Sequence, residues 1–238
     1  VSGDLSDLAR PTNRKHARLE GRHYFEGSAR ALTHELKSPV AAIRGAGELL
    51  QEDLPAADRA EFATQVVQQT ERLQRIIDRL LELSKLEQRH HAEGRAPVAL
   101  HDCAEAAMGQ TRARAAQRSI TLALEGHGHS GPWEAELVAL ALTNLLDNAI
   151  DFAPAGSTVR VELEGATVAV QDRGPGVPDY ALPRLGERFF TTARPGGERS
   201  GSGLGLAIVQ RVMALHGGQM VVRNTAPGLR VTLHFSSP

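Results

Sequence analysis

The sequence predicts an α+β chain in two parts, a helical hairpin that pairs into a four-helix bundle and then an α/β sandwich. Three observations carry that expectation. Two apolar seams with alternating four- and three-residue spacing occupy the first 93 residues. Five short period-two segments rich in β-branched residues, interleaved with helical stretches, follow. Glycine is also segregated: five of the 23 precede residue 94, and ten fall between Gly174 and Gly218.

The first seam runs Phe25, Ala29, Leu32, Leu36, Pro39, Ile43, Ala46 and Leu50. A turn follows at residues 53–58, and the second seam runs Phe62, Val66, Gln69, Leu73, Ile76, Leu80 and Leu83. Ile77 and Leu81 widen the second stripe, as in a helix that touches more than one neighbour. One hairpin buries little, so two copies pairing into a bundle is the expected assembly. Residues 13–23 are basic, which fits a segment near a membrane or an ordinary solvated helix face. A polar break at residues 89–97 ends this part. Helices are expected over 100–118, 133–152 and 204–215, and strands over 119–124, 158–163, 167–172, 219–223 and 230–235. Neighbouring strands are expected to be mostly antiparallel. The domain division is therefore 1–23 as a membrane-proximal helix or linker, 24–91 as the hairpin, 92–97 as a linker and 98–238 as the sandwich.

Composition narrows the function. The 238 residues carry 27 basic and 28 acidic side chains, a formal net charge of −1. That balance argues against a general nucleic-acid binder, which shows a basic excess. One cysteine, Cys103, excludes an internal disulfide. No apolar run approaches the ~18 residues a membrane helix needs. Aromatic residues number nine, so the core is expected to be aliphatic.

Four patches carry chemistry. Asn144 and Asn148 are i and i+4, so their amides share one helical face. Amide oxygens suit Mg²⁺, a hard cation whose shell phosphates and water complete. Asp172-Arg-Gly174-Pro-Gly176 closes a strand, where a carboxylate accepts a hydrogen bond from a purine amino group and glycine lets backbone approach closely. Gly201-Ser-Gly203-Leu204-Gly205 opens an apolar helix whose free N–H groups face phosphate. Glu187-Arg-Phe-Phe190 supplies anchors for a lid. Each patch alone also has a plainer reading: a surface asparagine pair, a turn, a linker. A Rossmann loop lacks its βαβ context, and no Walker P-loop occurs.

Taken together and in this order, the patches resemble the ATP-binding domain shared by sensor histidine kinases and the gyrase, Hsp90 and MutL ATPases. The resemblance runs from about residue 98 to the end. It implies Mg²⁺ at Asn148 and Asn144, and adenine at Asp172. Cofactor contacts are also implied at Gly174, Gly176, Arg194, Gly201, Gly203, Leu204, Gly205 and Thr232. The lid would cover roughly 174–203.

His34-Glu-Leu-Lys-Ser-Pro39 in turn resembles the phosphoacceptor box of histidine kinases. A neutral imidazole nitrogen is a nucleophile toward phosphorus, and Glu35 can hold the proton on the other nitrogen. Ser38 lies one turn on, where its hydroxyl could position water, and Pro39 permits a kink. The flanking residues 31–46 look like the CreC-type subgroup, whose partner is a DNA-binding response regulator. The resemblance implies an ATP- and Mg²⁺-dependent homodimeric kinase that passes phosphate from His34 to a regulator aspartate, with possible phosphatase action. The same resemblance implies no direct nucleic-acid contact, and a place in the cytoplasmic portion of an inner-membrane sensor anchored through a segment upstream of Val1. The alternative is a kinase-like scaffold that binds nucleotide and partner without transfer. Asp151 is the departure that supports it, because the family places Lys or Arg there. Asp151 is expected to face away or to be offset by an arginine, first of all Arg194. Trp133, where the family often has Asp, is expected to pack.

Overall fold

The computed structural model describes residues 32–33, 35–93, 96–192 and 201–236. The chain divides into two compact units, Val1–Arg75 and Ile76–Pro238. His34, Arg194 and the basic stretch 13–23 lie outside the described residues.

In the first unit, helix α1 spans residues 35–49, with 32 and 33 also helical. It ends where the amides of Gln51 and Glu52 reach back three residues, to Glu48 and Leu49, tightening the last turn. Helix α2, Ala56–Glu87, starts in this unit and ends in the second. The predicted seams are the sheltered side of both helices: Pro39, Ala46 and Ile76 are buried, while the flanking Val40, Leu49 and Val67 are exposed, as are Ile77 and Leu81, which were expected to widen the second stripe.

The second unit begins with the last turns of α2, whose Leu83 and Leu86 enter its core. Strand β1 (Ala96–Ala99) pairs antiparallel with β3 (Ser130–Trp133). Between them lie helix α3 (Leu100–Gln117) and β2 (Thr121–Gly128). Helix α4 (Ala135–Phe152), β4 (Thr158–Gly165) and β5 (Thr167–Gln171) follow. A short 3-10 helix (Asp179–Arg184), helix α5 (Gly205–Leu215), β6 (Gln219–Asn224) and β7 (Leu229–His234) complete the chain. The main sheet has the order β2-β4-β5-β7-β6, with β2 and β4 parallel and every other neighbour antiparallel. The parallel pair is possible because the α4 crossover separates its strands.

One sheet face is apolar by period two: Val159, Val161 and Leu163 of β4, Val168 and Val170 of β5, and Val231 and Leu233 of β7 are buried. Helix α4 meets them with Val138, Leu142, Leu145 and Ala149, and α5 with Ile208, Val209 and Val212, all in one cluster. The result is the expected α/β sandwich. Two four-residue strands were not expected, because Ala-Pro-Val-Ala and Ser-Gly-Pro-Trp read as breaks. Their prolines, Pro97 and Pro132, face each other in a two-stranded ribbon, where missing ladder donors cost little. Helix α4 accordingly starts two residues later than expected. Trp133 ends β3 and packs against Phe235, ring centroids 5.0 Å apart.

Candidate nucleotide site

Asp172 follows β5 on the same face as Val168 and Val170, so the strand delivers its carboxylate to the end of the core. Oδ1 accepts the N–H of Gly174 at 2.7 Å and that of Leu229 at 3.2 Å, while the Asp172 N–H donates to the Leu229 carbonyl at 3.0 Å. Burial pushes the carboxyl above the ordinary aspartate range, against those backbone donors. The surrounding glycines are required by space. A Cβ at Gly174 would sit 2.6 Å from the Phe152 carbonyl oxygen. At Gly228, whose φ is +108°, it would sit 2.0 Å from the Asp172 oxygen. Gly176 lies under Asn224, which closes a two-way amide pair with the Val177 backbone at 2.9 and 2.7 Å. The carboxylate is thus fixed by one oxygen, and its other oxygen has acceptor capacity for a ligand.

Asn144 is buried on α4, and its amide nitrogen donates to the Leu140 carbonyl at 2.9 Å. This bond orients the amide. Oδ1 is left toward the glycine-rich turn, 3.3 Å from the point a Cβ on Gly205 would occupy. Asn148, half-buried, stands one turn further along. A neutral amide oxygen beside the glycine turn, with a second amide one helical turn along, is a donor set that would suit Mg²⁺ if phosphates balanced its charge.

Helix α5 opens at Gly205 with no side-chain cap on its first amides. The N–H groups of Gly205, Leu206 and Ala207 therefore have no intrahelical acceptor, and the positive end of the dipole faces the turn. Gly203, at φ +64°, accepts from the Phe189 N–H at 2.9 Å, and a Cβ there would strike the Phe189 backbone at 2.5 Å. Phe189 itself takes φ +62°, and the Arg184 guanidinium caps the Phe190 ring at 4.1 Å. The bond from the Phe189 N–H ties this residue, midway along the expected lid, to Gly203 at its end.

One sequence expectation needs correction. Thr232 alternates with the core residues Val231 and Leu233, so it lies on the opposite face of the sheet, beside Ala169 and Val221. The β7 group that meets Asp172 is the Leu229 backbone. Asp151 is offset by arginine, as expected: Arg114 and Arg118 of α3 bind it at 2.6 and 3.5 Å, while Arg194 lies outside the described residues. Arg114 also holds Asp147 at 2.8 Å, and Arg79 of α2 reaches Asp147 at 3.5 Å. Burial opposes the Arg114 charge, but Asp151 and Asp147 outweigh it and hold the guanidinium more firmly protonated. This ladder had a legible signal, since Arg114/Arg118 and Asp147/Asp151 are complementary i,i+4 pairs. Arg79 had none, because it is distant in sequence.

In the first unit, Glu35 is mostly buried and pairs with Arg72 at 3.5 Å, while Ser38 is exposed on α1.

The sandwich, with its buried strand-end carboxylate, amide pair and uncapped glycine turn, defines an ATPase-type nucleotide domain. Residues 134–238 match the family described as Histidine kinase-, DNA gyrase B-, and HSP90-like ATPase. Residues 28–89 match the His Kinase A (phospho-acceptor) domain. With both domains in this order, the chain belongs to the sensor histidine kinases. It is 39% identical over 247 aligned positions to Sensor protein CreC of Escherichia coli (strain K12), an alignment covering 99% of this chain and 51% of CreC. Sensor protein QseC of the same strain is 36% identical over 219 positions, covering 90% of this chain and 47% of QseC. The chain spans about half the length of these curated relatives. Histidine kinase ThkA, solved in complex with response regulator protein TrrA, shares the fold. Its TM-score is 0.71 at 19% identity, covering 99% of this chain and 68% of ThkA.

Proposed function

We propose that this chain is the kinase core of a two-component sensor: it binds ATP, transfers the γ-phosphoryl group to His34, and passes it to an aspartate of a response regulator. One observation supports this above all. The carboxylate of Asp172, the amide of Asn144 and the open N-terminus of α5 belong to one unit, and the hexapeptide His34–Pro39 precedes it in the sequence. Asp172 would accept from the adenine amino group, and the free amides of α5 would bind phosphate. Asn148 and Asn144 would hold Mg²⁺, which screens phosphate charge. The His34 lone pair then forms the N–P bond while the bond from γ-phosphorus to the bridging oxygen breaks, and ADP leaves with that electron pair. Glu35 would take part by holding the other ring proton, and Ser38 by ordering water for regulator dephosphorylation.

We read the domains as 24–91 for dimerisation and phosphoacceptance and 98–238 for catalysis. Exposed Val40, Leu49 and Val67 suit pairing with a second copy. Among the described residues no helix is long and apolar enough to cross a membrane, so an anchor in the whole protein would lie elsewhere. The scaffold alternative rested on Asp151, and its neutralisation by Arg114 and Arg118 removes that objection. The test is labelling with γ-labelled ATP and Mg²⁺. The native chain should form an acid-labile phosphoprotein, and His34→Gln should bind nucleotide without label. Label persisting in His34→Gln would overturn the acceptor assignment.

A further inference from the structure

The point a Cβ on Gly205 would occupy lies 3.3 Å from Asn144 Oδ1 and 4.0 Å from a guanidinium nitrogen of Arg79. Arg79, from the last turns of α2, therefore stands at the open N-terminus of α5. A cation at the positive end of a helix dipole, beside amides with no acceptor, is electrostatically unfavourable unless an anion lies between them. Two carboxylates act on Arg79: Glu82, one turn further along α2, through its charge, and Asp147, a loose hydrogen-bond partner. Asp147 Oδ2 is 3.5 Å away, beyond the ~2.7–2.9 Å of a strong charge-assisted bond, and Asp147 gives its other oxygen to Arg114 at 2.8 Å. Three residues before Gly205, the Ser202 hydroxyl is also buried, with no hydrogen-bond partner among the described residues. Positive charge and unsatisfied polar groups thus converge on one turn.

We propose that Arg79 is a phosphate-reading residue, which exchanges Asp147 for an oxygen of the terminal phosphate when nucleotide binds. This rests on the ATP reading above. Arg79 then distinguishes ATP from ADP, and the last turns of α2 respond to which of them is present. Asp147 is the resting partner that competes with phosphate, while Arg114 and Asp151 keep Asp147 in place.

The test is nucleotide affinity of the purified chain, with Mg²⁺, for ATP and ADP separately. Arg79→Gln should weaken ATP roughly tenfold, the scale of one charged hydrogen bond, and ADP by less than about twofold. Asp147→Asn should bind ATP at least as tightly as the native chain, because it frees the guanidinium. Equal loss for ATP and ADP in Arg79→Gln, or no loss, overturns the proposal, since a purely structural salt bridge cannot tell the two apart. So does an Asp147→Asn chain that loses ATP affinity as Arg79→Gln does. If Arg79→Gln does not fold, the Asp147→Asn result decides by itself. A native chain that binds neither nucleotide would instead refute the ATP reading, a distinct outcome.

Discussion

Replacing Asp172 by Asn tests the site at its most constrained point. The substitution preserves volume in a place that is 5% exposed. In the native chain Oδ1 is committed to the N–H groups of Gly174 and Leu229 at 2.7 and 3.2 Å. An asparagine keeps those bonds only by placing its oxygen there, and its NH₂ then replaces the free oxygen. That NH₂ would face the amino group of adenine, donor against donor. Losing a charged hydrogen bond and gaining an unsatisfied donor costs about 3 kcal/mol, or about a hundredfold in ATP affinity. The same NH₂ suits a purine with a carbonyl at that position, so inosine triphosphate should bind Asp172→Asn better than ATP. Competition of both nucleotides against one fluorescent analogue reads the ratio. An Asp172→Asn chain that still prefers ATP would refute the assignment of this carboxylate to the base. The pH dependence has a definite sign. Burial raises the folded carboxyl above its unfolded value, so the native state holds this proton more tightly. Its contribution favours folding below the ordinary aspartate value and diminishes as pH rises to the folded value. Binding of ATP should weaken as pH falls through that folded value, and Asp172→Asn should lack both dependences.

Two substitutions separate backbone space from helix propensity. Gly228→Ala places a Cβ 2.0 Å from the Asp172 carbonyl oxygen at φ +108°, so it should destabilise the second unit by about 3 kcal/mol or more; urea unfolding reads the loss, and a change below about 1 kcal/mol would contradict the geometry. Gly109→Ala lies within α3, where an added Cβ meets nothing within 4 Å, and should stabilise by about 1 kcal/mol in the same assay.

What the sequence made legible was whatever one segment specifies by itself. The seam through Ile43 and Leu73 and the alternation in Val159-Arg-Val-Glu-Leu163 announce helix and strand, because burying one face is a local requirement of the pattern. Asn144, Asp172 and Gly205 were legible for a related reason. Each depends on a position at an element's end or face, and the periodicity locates those ends. Strands β1 and β3 were not legible, because they form only by pairing with each other across some 30 residues. Thr232 shows the finer limit. A strand's two faces differ by one residue, so a motif matched one position out of phase lands on the opposite side of the sheet. The side chain of Thr232 lies among Ala169 and Val221, while the Leu229 amide holds Asp172.

Asp151 gives the same lesson about charge. Considered alone, an acid near a phosphate site repels its ligand, but its effect depends on what it pairs with. Arg114 and Arg118 neutralise it, and through Arg114 it fixes Asp147, which in turn touches Arg79. Alternating charges on three helices thus convert an unfavourable residue into the far support of a cation at the glycine turn. The network predicts an asymmetry that single-residue reasoning misses. Removing Asp151 should loosen Arg114 and Asp147 first, and change the phosphate end only through them, because no atom of Asp151 needs to reach the nucleotide for its charge to matter.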